Sequence, residues 1–125
     1  MTDFDLRPAL AGYIRSVADW RRSRYQDDLR DPRNLVSASG LDGLAAWVMA
    51  LPENGRRVAA IAKFASEGES FVPGQQVLYE IGRFRFFNPD TEFDSFLDQL
   101  ARLAETDHNE HGHFGGKQVP GDEPW

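Results

Sequence analysis

The densest concentration of chemistry-bearing side chains is arginine. Arg15, Arg21, Arg22 and Arg24 fall within ten residues, Arg30 and Arg33 follow, and Trp20 and Tyr25 are interleaved with them. Guanidinium groups beside aromatic rings bind phosphates and stack on bases. Asp19, Asp27, Asp28 and Asp31 occupy the same stretch and cancel most of that field. A solvated helix face laced with ion pairs is therefore the preferred reading. Trp20, Arg21, Arg24 and Tyr25 are kept beside it as a candidate ligand or partner patch.

A second cluster lies near the C-terminus, where His108, His111 and His113 stand beside Asp107 and Glu110. Imidazole and carboxylate suit zinc, nickel or copper. No two of these histidines are four residues apart, and Gly112, Gly115 and Gly116 would leave any such site entropically expensive to assemble. A solvated tail is preferred over a metal site. Glu67, Glu69 and Glu80 lie among aromatics, where burial can raise a carboxyl pKa for acid–base work. Their spacing selects no fixed pair. The chain has no cysteine, which excludes disulfides and thiolate chemistry. Gly112 to Gly116 is not a phosphate loop, because Lys117 is followed by Gln118. No serine triad signature is present, and no cofactor is implied.

Aromatic residues gather between 64 and 96, and most of them must fill the interior of a small bundle. The run Arg83-Phe84-Arg85-Phe86-Phe87 cannot turn every ring to one helical face. Some of Phe84, Phe86 and Phe87 are expected at the surface with Arg83, as a docking patch or dimer seam.

These groups have to be positioned by elements that the apolar spacing predicts to be helical. Over residues 8–31, Leu10, Ile14, Val17, Arg21, Tyr25 and Leu29 recur at steps of three and four, and Asp31-Pro32 ends the pattern. A second helix is expected over 40–51, with Ser39 as N-cap and Asp42 completing a capping-box variant. A third over 54–66 follows so closely that the two should form an antiparallel hairpin. Gly68 and Pro73-Gly74 bracket a loop. Residues 75–87 fit a helix through Val77, Leu78, Ile81 and Phe84, and also alternate as a hairpin would. Helix is preferred, because a lone two-stranded ribbon needs something to pack on. Thr91 with Asp94 resembles a capping box opening a last helix, whose face is Phe93, Phe96, Leu97, Leu100, Leu103 and Ala104, through about residue 105.

Charge separates the two ends of the chain. Residues 1–89 are nearly balanced, whereas residues 90–125 hold nine acids against Arg102 and Lys117. Nonspecific nucleic-acid binding needs a basic excess, so nucleic acid is not an expected partner. A helix-turn-helix made from the second and third helices is disfavoured by a bland, alanine-rich third helix. With 41% apolar residues and a mean hydropathy of -0.53, part of the chain should lie outside the core. No stretch reaches the length of a membrane span and no secretory signal is evident, so a soluble, cytoplasmic protein is expected.

The expected fold is therefore all-α: a compact bundle of about five short-to-medium helices over residues 1–106, with an extended or disordered polar tail over 107–125. The leading functional expectation is a non-enzymatic protein-interaction or regulatory module acting on a protein partner or as a homodimer. Its acidic tail would fold onto Arg21, Arg22 and Arg24 or onto a neighbour, and deleting 107–125 would change assembly or binding. The alternative is a small-ligand-binding protein or enzyme with a pocket between helices lined by Trp20, Tyr25, Trp47 and Tyr79.

Overall fold

Two Asp-x-Arg sequences start the first two helices. A computed structural model of the chain describes residues 5–27, 29–52 and 55–111. Ahead of α1 (Arg7–Asp27), Asp5 Oδ1 accepts the backbone N–H of Arg7 at 3.0 Å, and the same carboxylate holds the Arg7 guanidinium. Asp31 repeats the device ahead of α2 (Arg33–Met49), taking the Arg33 N–H at 3.1 Å and its Nε at 2.9 Å. Each aspartate satisfies one of the donors a helix start leaves open. The arginine hydrogen bonds hold both carboxyls below the ordinary aspartate pKa.

The start of α2 corrects the sequence reading. Pro32 does not only end the first helix; it opens the second, which begins at Arg33 and not near Gly40. Proline is well suited to a first turn, and Leu35 and Val36 face solvent there, so the apolar pattern begins late. Ser39 is an exposed residue inside α2, and Asp42 pairs with Arg22 instead of completing a cap.

After α3 (Arg56–Phe64) the expected loop contains a minimal hairpin, β1 (Ser66–Glu67) and β2 (Ser70–Phe71), in register Ser66–Phe71 and Glu67–Ser70. Gly68 has φ +61°, which a two-residue hairpin turn asks of its first position. Residues 75–87 divide: α4 (Gln75–Gly82) is helical, and turns follow through Phe86. α5 (Phe93–His111) runs past the point where the apolar pattern weakens. Thr91 donates its hydroxyl to the Asn88 carbonyl and Asp94 pairs with Arg57, so the expected Thr91–Asp94 box is not made.

The second and third helices do not form a hairpin. α2 packs against α1, and α3 lies along α5. Arg57 and Asp94 meet at the starts of α3 and α5, and Phe64 and His108 meet near their ends with rings 5.4 Å apart, so these two helices run in the same direction. α4 runs antiparallel to α5, its start at Asp107 and its last turn at Gln99. The β-hairpin rests on α1 through Phe71 against Tyr13, ring centroids 5.3 Å apart.

One continuous core joins the five helices of the described residues. Leu10, Ile14, Leu41, Leu44, Ile61, Ile81, Leu97 and Leu100 are wholly buried in it. Each such side chain contributes about 1.5–3 kcal/mol of transfer free energy. The result is the all-α, five-helix bundle that the helical periodicity predicts. No helix among the described residues is long and apolar enough to cross a membrane.

Candidate functional site

The arginine patch and the Arg-Phe run meet, but inside the protein. Arg21 continues the stripe of Leu10, Ile14 and Val17, and only 2% of its surface is exposed. Its Nε and Nη2 donate to the Gly82 carbonyl at 3.1 and 2.7 Å, and Nη1 donates to Asn34 Oδ1 at 3.1 Å. The guanidinium carbon lies 4.5 Å from the Trp20 ring centroid and 4.1 Å from that of Phe86. The expected solvated face is thus corrected at Arg21: a cation sits in the core because carbonyl, amide and π-faces replace its water. Arg24 is exposed and Tyr25 half-buried.

Arg21 closes the C-terminal end of α4, where free carbonyls and the helix dipole favour a cation. Asp107 closes the other end. This residue of α5 is 2% exposed, and its carboxylate accepts the backbone N–H groups of Gln76 and Val77 at 3.2 and 3.1 Å. Gly74 makes room: a Cβ there would lie 2.5 Å from Asp107. An eight-residue helix is too short to stand alone, and here each end is held by a charge from another helix.

Beyond Gly82 the chain lies along one stripe of α2. Ser37 Oγ donates to the Phe84 carbonyl at 2.6 Å. Gly40 and Gly43 then let side chains approach: a Cβ would lie 2.7 Å from Arg85 Cδ at the first and 2.9 Å from Phe93 Cζ at the second. Arg85 has φ +58°, a left-handed conformation costing an L-residue about 1–2 kcal/mol. Glycine within a helix costs about another 1 kcal/mol relative to alanine. Together they place the Arg85 guanidinium against the adjacent rings of Phe84 and Phe93, at 5.2 and 4.6 Å, with Nε donating to the Thr91 carbonyl at 2.8 Å.

The aromatic run is split by this seating. Phe84 is buried against Phe96 at 4.4 Å, and Phe86 is buried under Arg21 and Arg33. Phe87 points outward, 55% exposed, with one edge against Phe86 and Arg33 beside it. Arg83 is half-buried and paired with Glu80 at 3.1 Å. A cavity of about 250 Å³ opens between this segment and α5, lined by Arg83, Arg85, Phe87, Asn88, Phe96 and Gln99, among others. A wider cleft of about 760 Å³ lies between Leu51, Arg56 and Arg57 on one side and the first turns of α5 on the other. Trp20, Tyr25, Trp47 and Tyr79 line neither space. Trp47 packs on Phe93, Trp20 on Arg21, and Gln75 donates to the Tyr79 hydroxyl.

His108 is exposed on α5 against Phe64. The side chain of His111, and all of His113 and the remaining tail, lie outside the described residues. No trio of metal-ligating side chains occurs among those that are described. Arg21 is closed to any tail, and Arg22 already meets Asp19 and Asp42. Asp107 belongs to the fold, so a truncation that tests the tail has to begin after His111.

Arg85, Asn34, Ser37, Gly40 and Asp107 are the site and anchor residues that the sequence reading does not single out. Arg85 carried a signal, a cation flanked by rings; Gly40 stood at the expected start of a helix, and Asp107 was noted only as a carboxylate beside the histidines, with nothing to mark it as an anchor. Comparisons with family models, with curated proteins and with solved structures find no match to this chain.

Proposed function

We propose that this chain is a non-enzymatic interaction module that docks a separate protein through Phe87 and its surroundings. The observation that carries this reading is the contrast within one segment. Its backbone is anchored by Arg21 and Ser37 and its other two rings are buried, yet Phe87 is presented to solvent. Rigidly held exposed aromatics are typical interface anchors, because little ordering entropy is lost on binding. Val36 stands one turn from Arg33 on α2, and it too is exposed, as is Leu29 ahead of that helix. Arg33, Arg83 and Arg85 border the patch. A partner segment that places an apolar side chain beside an acidic one is complementary to it.

A photo-crosslinking residue in place of Phe87 should capture one partner from cells, and that partner should then be tested in purified form. Phe87→Asp should weaken its binding about thirtyfold or more, the loss of an anchor residue worth about 2 kcal/mol. Met49→Asp, at the far end of α2, should leave it unchanged. Equal binding by the two variants would refute the patch. A dimer of this chain that Phe87→Asp dissociates would replace the separate partner with a second copy.

A further inference from the structure

We propose that the cavity beside Arg85 is a binding site for a small monocarboxylate, a second function for a segment that shares Phe87, Arg83 and Arg85 with the docking patch. The guanidinium is fixed on three sides: Phe84 and Phe93 lie against it, and its Nε is committed to the Thr91 carbonyl. What remains is the edge formed by its terminal nitrogens, and no carboxylate among the described residues pairs with it. A planar fork held in this way matches the two oxygens of a carboxylate. The neighbouring cation is already answered, since Glu80 takes Arg83 with one oxygen and lies within 3.4 Å of the Gln99 amide with the other. The lining therefore carries Arg83 and Arg85 against Glu80, a single net positive charge, which favours a monoanion over a phosphate dianion.

The walls define the rest of the ligand. The lining is mostly polar, with Asn88, Thr91 and Gln99 beside the rings of Phe87 and Phe96. A space of about 250 Å³ lies just below the range of about 300–1,000 Å³ typical for drug-sized ligands, so the acid is small. Two local sacrifices serve this arrangement. Arg85 adopts left-handed backbone, and α2 lacks a side chain at Gly40, where a Cβ would collide with Arg85 Cδ. Strained positions of this kind gather at ligand sites.

The test is an NMR titration of the full chain that follows the Arg85 Nε–H resonance, with 3-phenylpropanoate, 3-phenylpropanamide and inorganic phosphate as probes. The carboxylate should shift that resonance saturably, its neutral amide should bind at least tenfold more weakly, and phosphate should bind more weakly than the carboxylate. In Arg85→Gln, which lacks that resonance, the Asn88 and Gln99 side-chain amides should no longer shift on titration, whereas in Arg15→Gln, which removes an exposed cation on α1 away from the cavity lining, the Arg85 resonance and both amides should respond as in wild type. Absence of saturable binding, equal affinity for acid and amide, or preference for phosphate would each overturn the proposal. The comparison of acid with amide needs no variant, so it holds even if Arg85→Gln misfolds. Phe87 belongs to both the patch and the cavity, so partner docking is read with Phe87→Asp and ligand binding with the wild-type chain.

Discussion

Arg21 and Asp107 act as a pair without touching, one at each end of α4. Replacing Arg21 by lysine keeps the charge but loses the fork that reaches both Gly82 and Asn34. Hydrogen bonds to a charged group are worth about 1.5–3 kcal/mol each, so Arg21→Lys should lower unfolding free energy by about 2 kcal/mol. Asp107→Ala removes both acceptors at the α4 start and should cost about 1–2 kcal/mol, with Asp107→Asn intermediate. Urea titrations measure all three, and hydrogen exchange should place the added opening at residues 76–82. Wild-type exchange there in either variant would mean that α4 does not depend on its end charges. The first of these residues was legible as an anomaly. A charged side chain at the next step of Leu10, Ile14 and Val17 contradicts a solvated face, and the surrounding aspartates concealed it. Asp107 was not legible, since its partners lie some thirty residues earlier and local spacing carries no trace of them.

Two glycines on the long helices have opposite consequences. Gly12 is exposed on α1, and a Cβ there would meet nothing within 4 Å. Gly12→Ala should therefore stabilise the protein by up to about 1 kcal/mol, the usual gain in a helix interior. Gly40→Ala has the same local gain, but its Cβ would displace Arg85 and press on Phe84, 3.3 Å away. Overpacking costs about 1–3 kcal/mol, so the net effect should be destabilising. Thermal melts of the two variants give the signs directly, and stabilisation by both would show that α2 does not need its glycine. Long amphipathic elements such as α1 and α5 were readable because their apolar stripes repeat over several turns. The α2 start was hidden by outward-facing Leu35 and Val36. The hairpin at residues 66–71 has strands of two residues each, too short for alternation to register. Helix pairing was not readable at all, because a short connection between α2 and α3 says nothing about which faces fit.

At the scale of the molecule, the α1–α2 pair and the α3–α4–α5 group share a single apolar core, and Arg21 and Ser37 bridge them with hydrogen bonds. Neither half buries its apolar face without the other. Unfolding should accordingly be one cooperative transition, as is usual for a single domain of this size. Trp20 and Trp47 both belong to the α1–α2 pair, whereas helical circular dichroism reports on every helix. In a protein with Trp125 replaced by phenylalanine, fluorescence and dichroism midpoints should coincide in urea. Arg21→Met removes one bridge and leaves the core, so both midpoints should fall together. If dichroism instead lost part of its amplitude before tryptophan fluorescence changed, the α1–α2 pair would be an independent folding unit, and the buried arginine would be a docking contact between two units that each fold alone.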